Sequence, residues 1–233
     1  MKPVARIFRP RNPTLIALIF GLQLSMPIAA ASLDDLLNAA KMGDATAVTR
    51  MVSQGMDINS TDQNGNSLLI LAAREDQARV VEALVKQRGI KLNARNAAGD
   101  SALMLASLKG HLEVVQLLLA AGAEYDHSGW NPLLYAAFDG RLAVVELLLS
   151  KGANPNAKAP NLATPLMFAA RNGHEDVVVR LLKAGADPDW KNDQNETAES
   201  WAARHRNTDI AEMIQAERKA RAARGKQLRI EIE

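Results

Sequence analysis

Thr164-Pro-Leu-Met-Phe-Ala-Ala-Arg-Asn-Gly-His174, continued by Val177-Val-Val-Arg-Leu-Leu182 and closed by Gly185-Ala-Asp187, is the stretch from which the rest of the chain can be read. It predicts a helix, a glycine turn, a second helix, a glycine cap and an extended finger. The same order recurs along the sequence. Pairs of small residues stand at Ala39-Ala40, Ala72-Ala73, Ala106-Ser107, Ala136-Ala137, Ala169-Ala170 and Ala202-Ala203, spaced by 33, 34, 30, 33 and 33 residues. Each pair follows a leucine-rich turn such as Leu69-Ile-Leu71 or Leu133-Leu-Tyr135; the last, Glu199-Ser-Trp201, is degenerate. Glycines at 43, 110, 140 and 173 precede the second apolar stretch, and glycines at 55, 89, 122, 152 and 185 end it.

Two short helices cannot bury their own apolar face. Repeats of this kind must therefore stack into one elongated core, with small residues at the paired positions letting the first helices approach closely. The units fall at about 33–65, 66–99, 100–128, 129–161, 162–194 and 195–216, with a basic tail at 217–233. The expected architecture is an all-α solenoid with turn fingers, its ends made polar by Asp34 and Asp35 and by Arg204, His205, Arg206 and Glu212.

These residues resemble the ankyrin repeat. Thr164 to His174, Gly185-Ala-Asp187, Gly110-His-Leu-Glu-Val-Val115 and Gly152-Ala-Asn-Pro-Asn156 are similar to that family's pattern over about residues 33–216. The resemblance implies protein recognition through a concave groove and the fingers, without catalysis or cofactor. It also places His111 and His174 at the start of second helices, where a local helix-start hydrogen bond is expected. Three departures stand out. The family's histidine after Pro-Leu is replaced throughout (Leu37, Ile70, Met104, Leu134, Met167, Ser200), which predicts a looser first turn. Asp76 takes a usual glycine place, and the finger after Gly122 is three residues short; both should bend the stack locally.

Composition narrows the chemistry. The 233 residues include no cysteine and four histidines, which excludes thiolate metal sites, disulfides and cysteine nucleophiles. No Gly-x-Ser-x-Gly, phosphate-cradling glycine loop or His-Glu-x-x-His is present, so the chain reads as a non-enzyme with no metal site. Asp187-Pro-Asp189 is read as turn chemistry.

The first 31 residues carry Lys2, Arg6, Arg9 and Arg11 and no acid; an unbroken apolar run, Leu15 to Leu22, follows them, and Ala29-Ala-Ala31 supplies small residues. This is the order of a secretory signal cut after Ala31, and the apolar run is too short to span a bilayer. With cysteine absent, a periplasmic location is expected. Subtracting those four cations leaves 24 basic and 26 acidic residues, no electrostatic footprint for nucleic acid.

The residue before each small pair reads Asn38, Leu71, Leu105, Tyr135, Phe168, Trp201. It lies about 200° round the helix from the core leucine and so leaves the core face. Three residues further on, Leu108, Phe138 and Arg171 share that side. Two readings remain open: the aromatics anchor a partner, or they cover neighbouring helices. As anchors, Phe168 and Trp201 could be changed to alanine with loss of binding and retention of fold. The finger aromatics Tyr125, Trp130 and Trp190 stand at the rim, with Trp130 expected to be exposed. The candidate partner-binding set is thus Leu105, Tyr135, Phe138, Phe168, Arg171, Trp201, Tyr125, Trp130 and Trp190.

The tail Arg218 to Arg229 holds six basic residues and no acid. It reads either as a solvated helix end, helical to about Ala223 before Gly225, or as a handle for an acidic surface; membrane insertion is not expected. The functional expectation is a monomer that binds an unidentified protein as a scaffold or assembly factor, or as an inhibitor or immunity-type protein.

Overall fold

The computed structural model describes residues 31–230, with side chains to residue 224. The expected signal segment, residues 1–30, lies outside the described residues. A compact unit begins at Ser32. Its described residues form twelve helices in six pairs and no strand beyond a single bridge between Thr61 and Ser67. The pairs are α1 (Leu33–Met42) with α2 (Ala45–Ser53), α3 (Leu68–Arg74) with α4 (Ala78–Val85), and α5 (Ala102–Lys109) with α6 (Leu112–Ala120). They continue with α7 (Pro132–Phe138) and α8 (Leu142–Ser150), α9 (Pro165–Asn172) and α10 (Glu175–Lys183), and α11 (Ala198–Arg204) and α12 (Thr208–Ile230).

Local chemistry starts each first helix. Ser67, Ser101, Asn131, Thr164 and Thr197 accept a hydrogen bond from the amide three residues on, satisfying a donor that the helix itself leaves free. Pro132 and Pro165 stand in the first turn, where a missing N–H costs nothing. Loss of the family's histidine therefore leaves no first turn uncapped.

The second helices start differently. Gln77, His111, Arg141 and His174 stand at their N-cap positions but make no side-chain cap. Each reaches back to the preceding repeat instead. Gln77 donates to the Lys41 carbonyl at 3.1 Å, His111 Nε2 to Arg74 O at 3.1 Å, Arg141 Nε to Leu108 O at 3.1 Å, and His174 Nε2 to Phe138 O at 3.0 Å. Asn207 does the same for Ala170 and Arg171. A carbonyl can only accept, so both histidines carry their proton on Nε2. The expected helix-start hydrogen bond of His111 and His174 is thus replaced by a bond between repeats. This also explains the turn glycines. At Gly140, φ is 68° and a Cβ would lie 2.5 Å from the His174 ring. Asp76 adopts the same left-handed conformation at φ 58°, which Asp tolerates better than most residues.

First helices pack on first helices and second on second, the inner row more extensively, so the stack curves toward the inner row. Packing of α6 on α8, at the junction the short finger spans, is slighter than that of α2 on α4, α4 on α6 or α8 on α10. The core is one continuous column of side chains from Leu36 to Ile214, aliphatic except for Phe168 and Trp201. Within the paired column Ser107 stands where the other repeats have alanine. Its Oγ is buried without a partner, and a buried unsatisfied hydroxyl costs about 1–3 kcal/mol. Ser107→Ala is expected to raise stability by about 1 kcal/mol in urea unfolding; a drop would show that the hydroxyl is satisfied.

The last helix does not stop before Gly225. It runs from Thr208 to Ile230, and Arg218, Arg221 and Arg224 are paired with carboxylates. Arg218 contacts Asp189 and Glu199, each at 2.5 Å. Arg221 binds Glu217 and donates to the Leu182 and Ala186 carbonyls just at and beyond the C-terminus of α10, where cations are favoured. Arg224 also meets Glu217. Arg218 and Arg221 thus clamp α12 on the preceding helices and finger, while Lys219 and Arg224 are exposed and meet partners on α12 itself.

Candidate partner-binding site

The inner helices bring four aromatic residues to the groove, Tyr135 and Phe138 from α7, Phe168 from α9 and Trp201 from α11, and the short finger adds Trp130. Phe168 is the hub. Its ring centroid lies 5.0 Å from Trp130, 5.9 Å from Phe138 and 5.6 Å from Trp201, the last two edge-to-face. Trp130 also lies 5.2 Å from Tyr135. The three-residue deletion thus lets Trp130 fold back over the inner helices, half-buried rather than exposed at the rim.

Burial divides the expected set. Leu105, Phe168 and Trp201 are buried, the two aromatics with 4% and 7% of their surface open. They form the floor of the groove, and their loss tests folding before it tests binding. Phe138 is exposed at 36%, and Arg171 is exposed beside it. Tyr135 donates its hydroxyl to Asp100 at 2.6 Å. Burial first, and then this carboxylate, push its phenol well above the ordinary tyrosine range. Tyr125 bonds the Lys151 carbonyl at 2.7 Å, spanning adjacent fingers. Asn59 and Asn156 span other fingers with paired bonds to the next repeat. The Trp190 indole donates to Leu162 O at 2.8 Å, and Lys158 sits 3.6 Å over its ring. Tyr125 and Trp190 therefore brace the fingers.

Two hollows join at the C-terminal half of the groove. The first, about 380 Å³, is lined by Trp130, Phe138, Pro160, Asn161, Phe168, Arg171 and Trp201. The second, about 340 Å³, shares Asn161, Arg171 and Trp201 and adds Asn192, Gln194, Glu196, Arg204 and His205. Glu196 accepts the Trp201 indole N–H at 2.5 Å, the Asn192 amide and the Arg204 guanidinium, all of which hold its carboxyl below the usual range.

Sequence reasoning missed Pro160, Asn161 and Leu162. Leu162 is exposed at 42% with φ 59°, a conformation that a bulky residue holds at a cost. The equivalent finger positions carry Gly65 and Gly99, so a leucine at a glycine place was the available signal.

A family model described as ankyrin repeats, three copies, matches residues 36–128, 92–159 and 158–223. The chain belongs to the ankyrin-repeat family. Solved ankyrin structures agree. The ankyrin repeat domain of Bcl-3, a unique member of the IkappaB protein family, is 32% identical, with 76% of this chain and 80% of that chain covered and a TM-score of 0.67. The human ASB11 ankyrin repeat domain is 27% identical over 78% and 82%, with a TM-score of 0.72. The ankyrin repeat protein EF0377 is 25% identical over 80% and 98%, with a TM-score of 0.70. A comparison with curated proteins finds no match.

Ankyrin repeats are general protein–protein interaction modules, and their folds are typically non-enzymatic. Among the described residues of this ankyrin stack no three His, Cys, Asp or Glu side chains gather as metal ligands. No described helix is long and apolar enough to cross a membrane.

Proposed function

We propose that this ankyrin stack is a periplasmic scaffold or assembly factor that holds a partner protein against its concave groove and fingers. The observation that carries the reading is exposed Phe138 in a hollow over the buried aromatic floor, a hollow also walled by Pro160 and Asn161, which precede the exposed, strained Leu162 in the same finger. A protein keeps a costly backbone and open apolar side chains where function uses them. A rigid floor loses little entropy on binding, so contacts convert efficiently into affinity.

Support for export comes from the fold boundary. Ser32 caps α1 through a capping box with Asp35, whose carboxylate accepts from the Ser32 amide at 2.8 Å. A cut after Ala31 leaves that cap whole and turns the amide into an ammonium facing the same carboxylate. Fractionation with N-terminal sequencing tests this step; Ser32 at the start of a periplasmic form is the expected result, and an uncleaved cytoplasmic chain would refute it.

Binding is tested by capture from periplasmic extract with the wild type, Phe138→Asp and Leu162→Gly. One stoichiometric protein retained by the wild type should be lost with Phe138→Asp. With Leu162→Gly it should be weakened although stability holds or rises, because glycine relieves the positive φ. Equal retention by all three would place the site elsewhere. If the captured protein is an enzyme that is silenced rather than preserved, the chain is an inhibitor.

A further inference from the structure

The groove's charge says what kind of segment it takes, granted that the groove is the binding surface as proposed above. We infer that the joined hollows receive a partner segment in which a bulky apolar side chain is followed at once by side-chain carboxylates.

The first hollow supplies the apolar seat, walled by Trp130, Phe138, Phe168 and Trp201. Leaving it toward the second hollow, a ligand meets Arg171, which lines both. Arg171 lies 5.7 Å from the Trp201 ring centroid and forms no ion pair among the described residues. The carboxylates of the same face are already engaged: Glu75 with Arg74, Asp139 with Arg141, Glu196 with Arg204. In the second hollow Arg171 and Arg204 stand against Glu196 alone, so one cation is in excess where the body of the chain is acidic.

Register gives an independent sign of the same chemistry. The third residue after the groove position reads Lys41, Arg74, Leu108, Phe138, Arg171, Arg204, one per repeat. Apolar side chains occupy the middle repeats and cations the outer ones. A segment with an apolar centre and acidic continuation matches that order, and a planar guanidinium suits a carboxylate in particular. The side-chain amides of Asn161 and Gln194 add neutral hydrogen-bonding groups around the same place.

Fluorescence anisotropy with labelled synthetic peptides tests the inference. Three share a central Leu-Phe pair followed by Asp-Glu-Asp, Lys-Lys-Lys or Ser-Gly-Ser; a fourth ends at Leu-Phe with a free carboxylate. The acidic peptide should bind about tenfold or more tightly than the other three, as expected for charge-assisted hydrogen bonds. The advantage should shrink with salt and vanish in Arg171→Glu, while Arg171→Lys retains part of it. Equal binding of the first three peptides, or no binding of the acidic one, overturns the inference. Equal or tighter binding of the fourth also overturns it, since the site would then read a chain terminus. Failure of the groove reading is distinguishable: partner capture that depends on Phe138 but not on the charge at 171 defeats only the acidic class, whereas capture indifferent to both positions defeats the groove.

Discussion

Phe168→Ala is expected to lower folding stability by about 3–5 kcal/mol, the cost of truncating a buried aromatic. The ring is only 4% open and is in contact with three others, Trp130, Phe138 and Trp201, contributed by a finger and two inner helices. Trp201 is held by Glu196 and Trp130 lies against Tyr135, so neither moves freely into the space and little of the cavity should collapse. Urea unfolding followed by far-ultraviolet circular dichroism measures the loss. A cost below about 1 kcal/mol together with lost partner binding would return Phe168 to the role of a free anchor. Trp201→Ala should behave alike, because its indole also ties Glu196 to the wall of the second hollow.

Leu148→Ala is expected to cost about 2–5 kcal/mol. Leu148 is fully buried in α8 of the fourth repeat, on the face that meets α7 and the adjacent second helices. In a solenoid each repeat leans only on its neighbours, so weakening a middle repeat removes two interfaces at once. Unfolding should become both earlier and broader as the two halves of the stack lose their coupling. A loss under about 1 kcal/mol with a single sharp transition would mean that α8 presents a different face to the core.

Much of this molecule can be read from period and composition. The paired small residues locate every inner helix, because close helix approach demands them, and the leucine and valine stretches locate the second helices through simple burial. The groove positions also follow from helical geometry: Tyr135, Phe138, Phe168, Arg171 and Trp201 do share one side. What sequence could not supply is which of them is covered. Phe168 and Trp201 are buried by each other and by Trp130, a contact across repeats that depends on a finger shortened enough to fold inward. Tyr125 and Trp190 spend their polar ends on carbonyls 26 and 28 residues away, so neither is a free rim aromatic. The histidines stand on the expected turns but bond backward rather than locally, because a side chain at that point lies over the turn of the previous repeat. Arg218 and Arg221 of the tail are similarly explained only once Asp189, Glu199 and the end of α10 are brought beside them.

The most direct test of the groove as a partner surface is site-specific photo-cross-linking in intact cells. A photoreactive residue at position 138 is compared with one at Lys183, exposed on the outer row. One discrete covalent adduct with a single protein from position 138, and none from position 183, is the expected result. An adduct formed from position 183 and absent from position 138 would contradict the assignment of the groove.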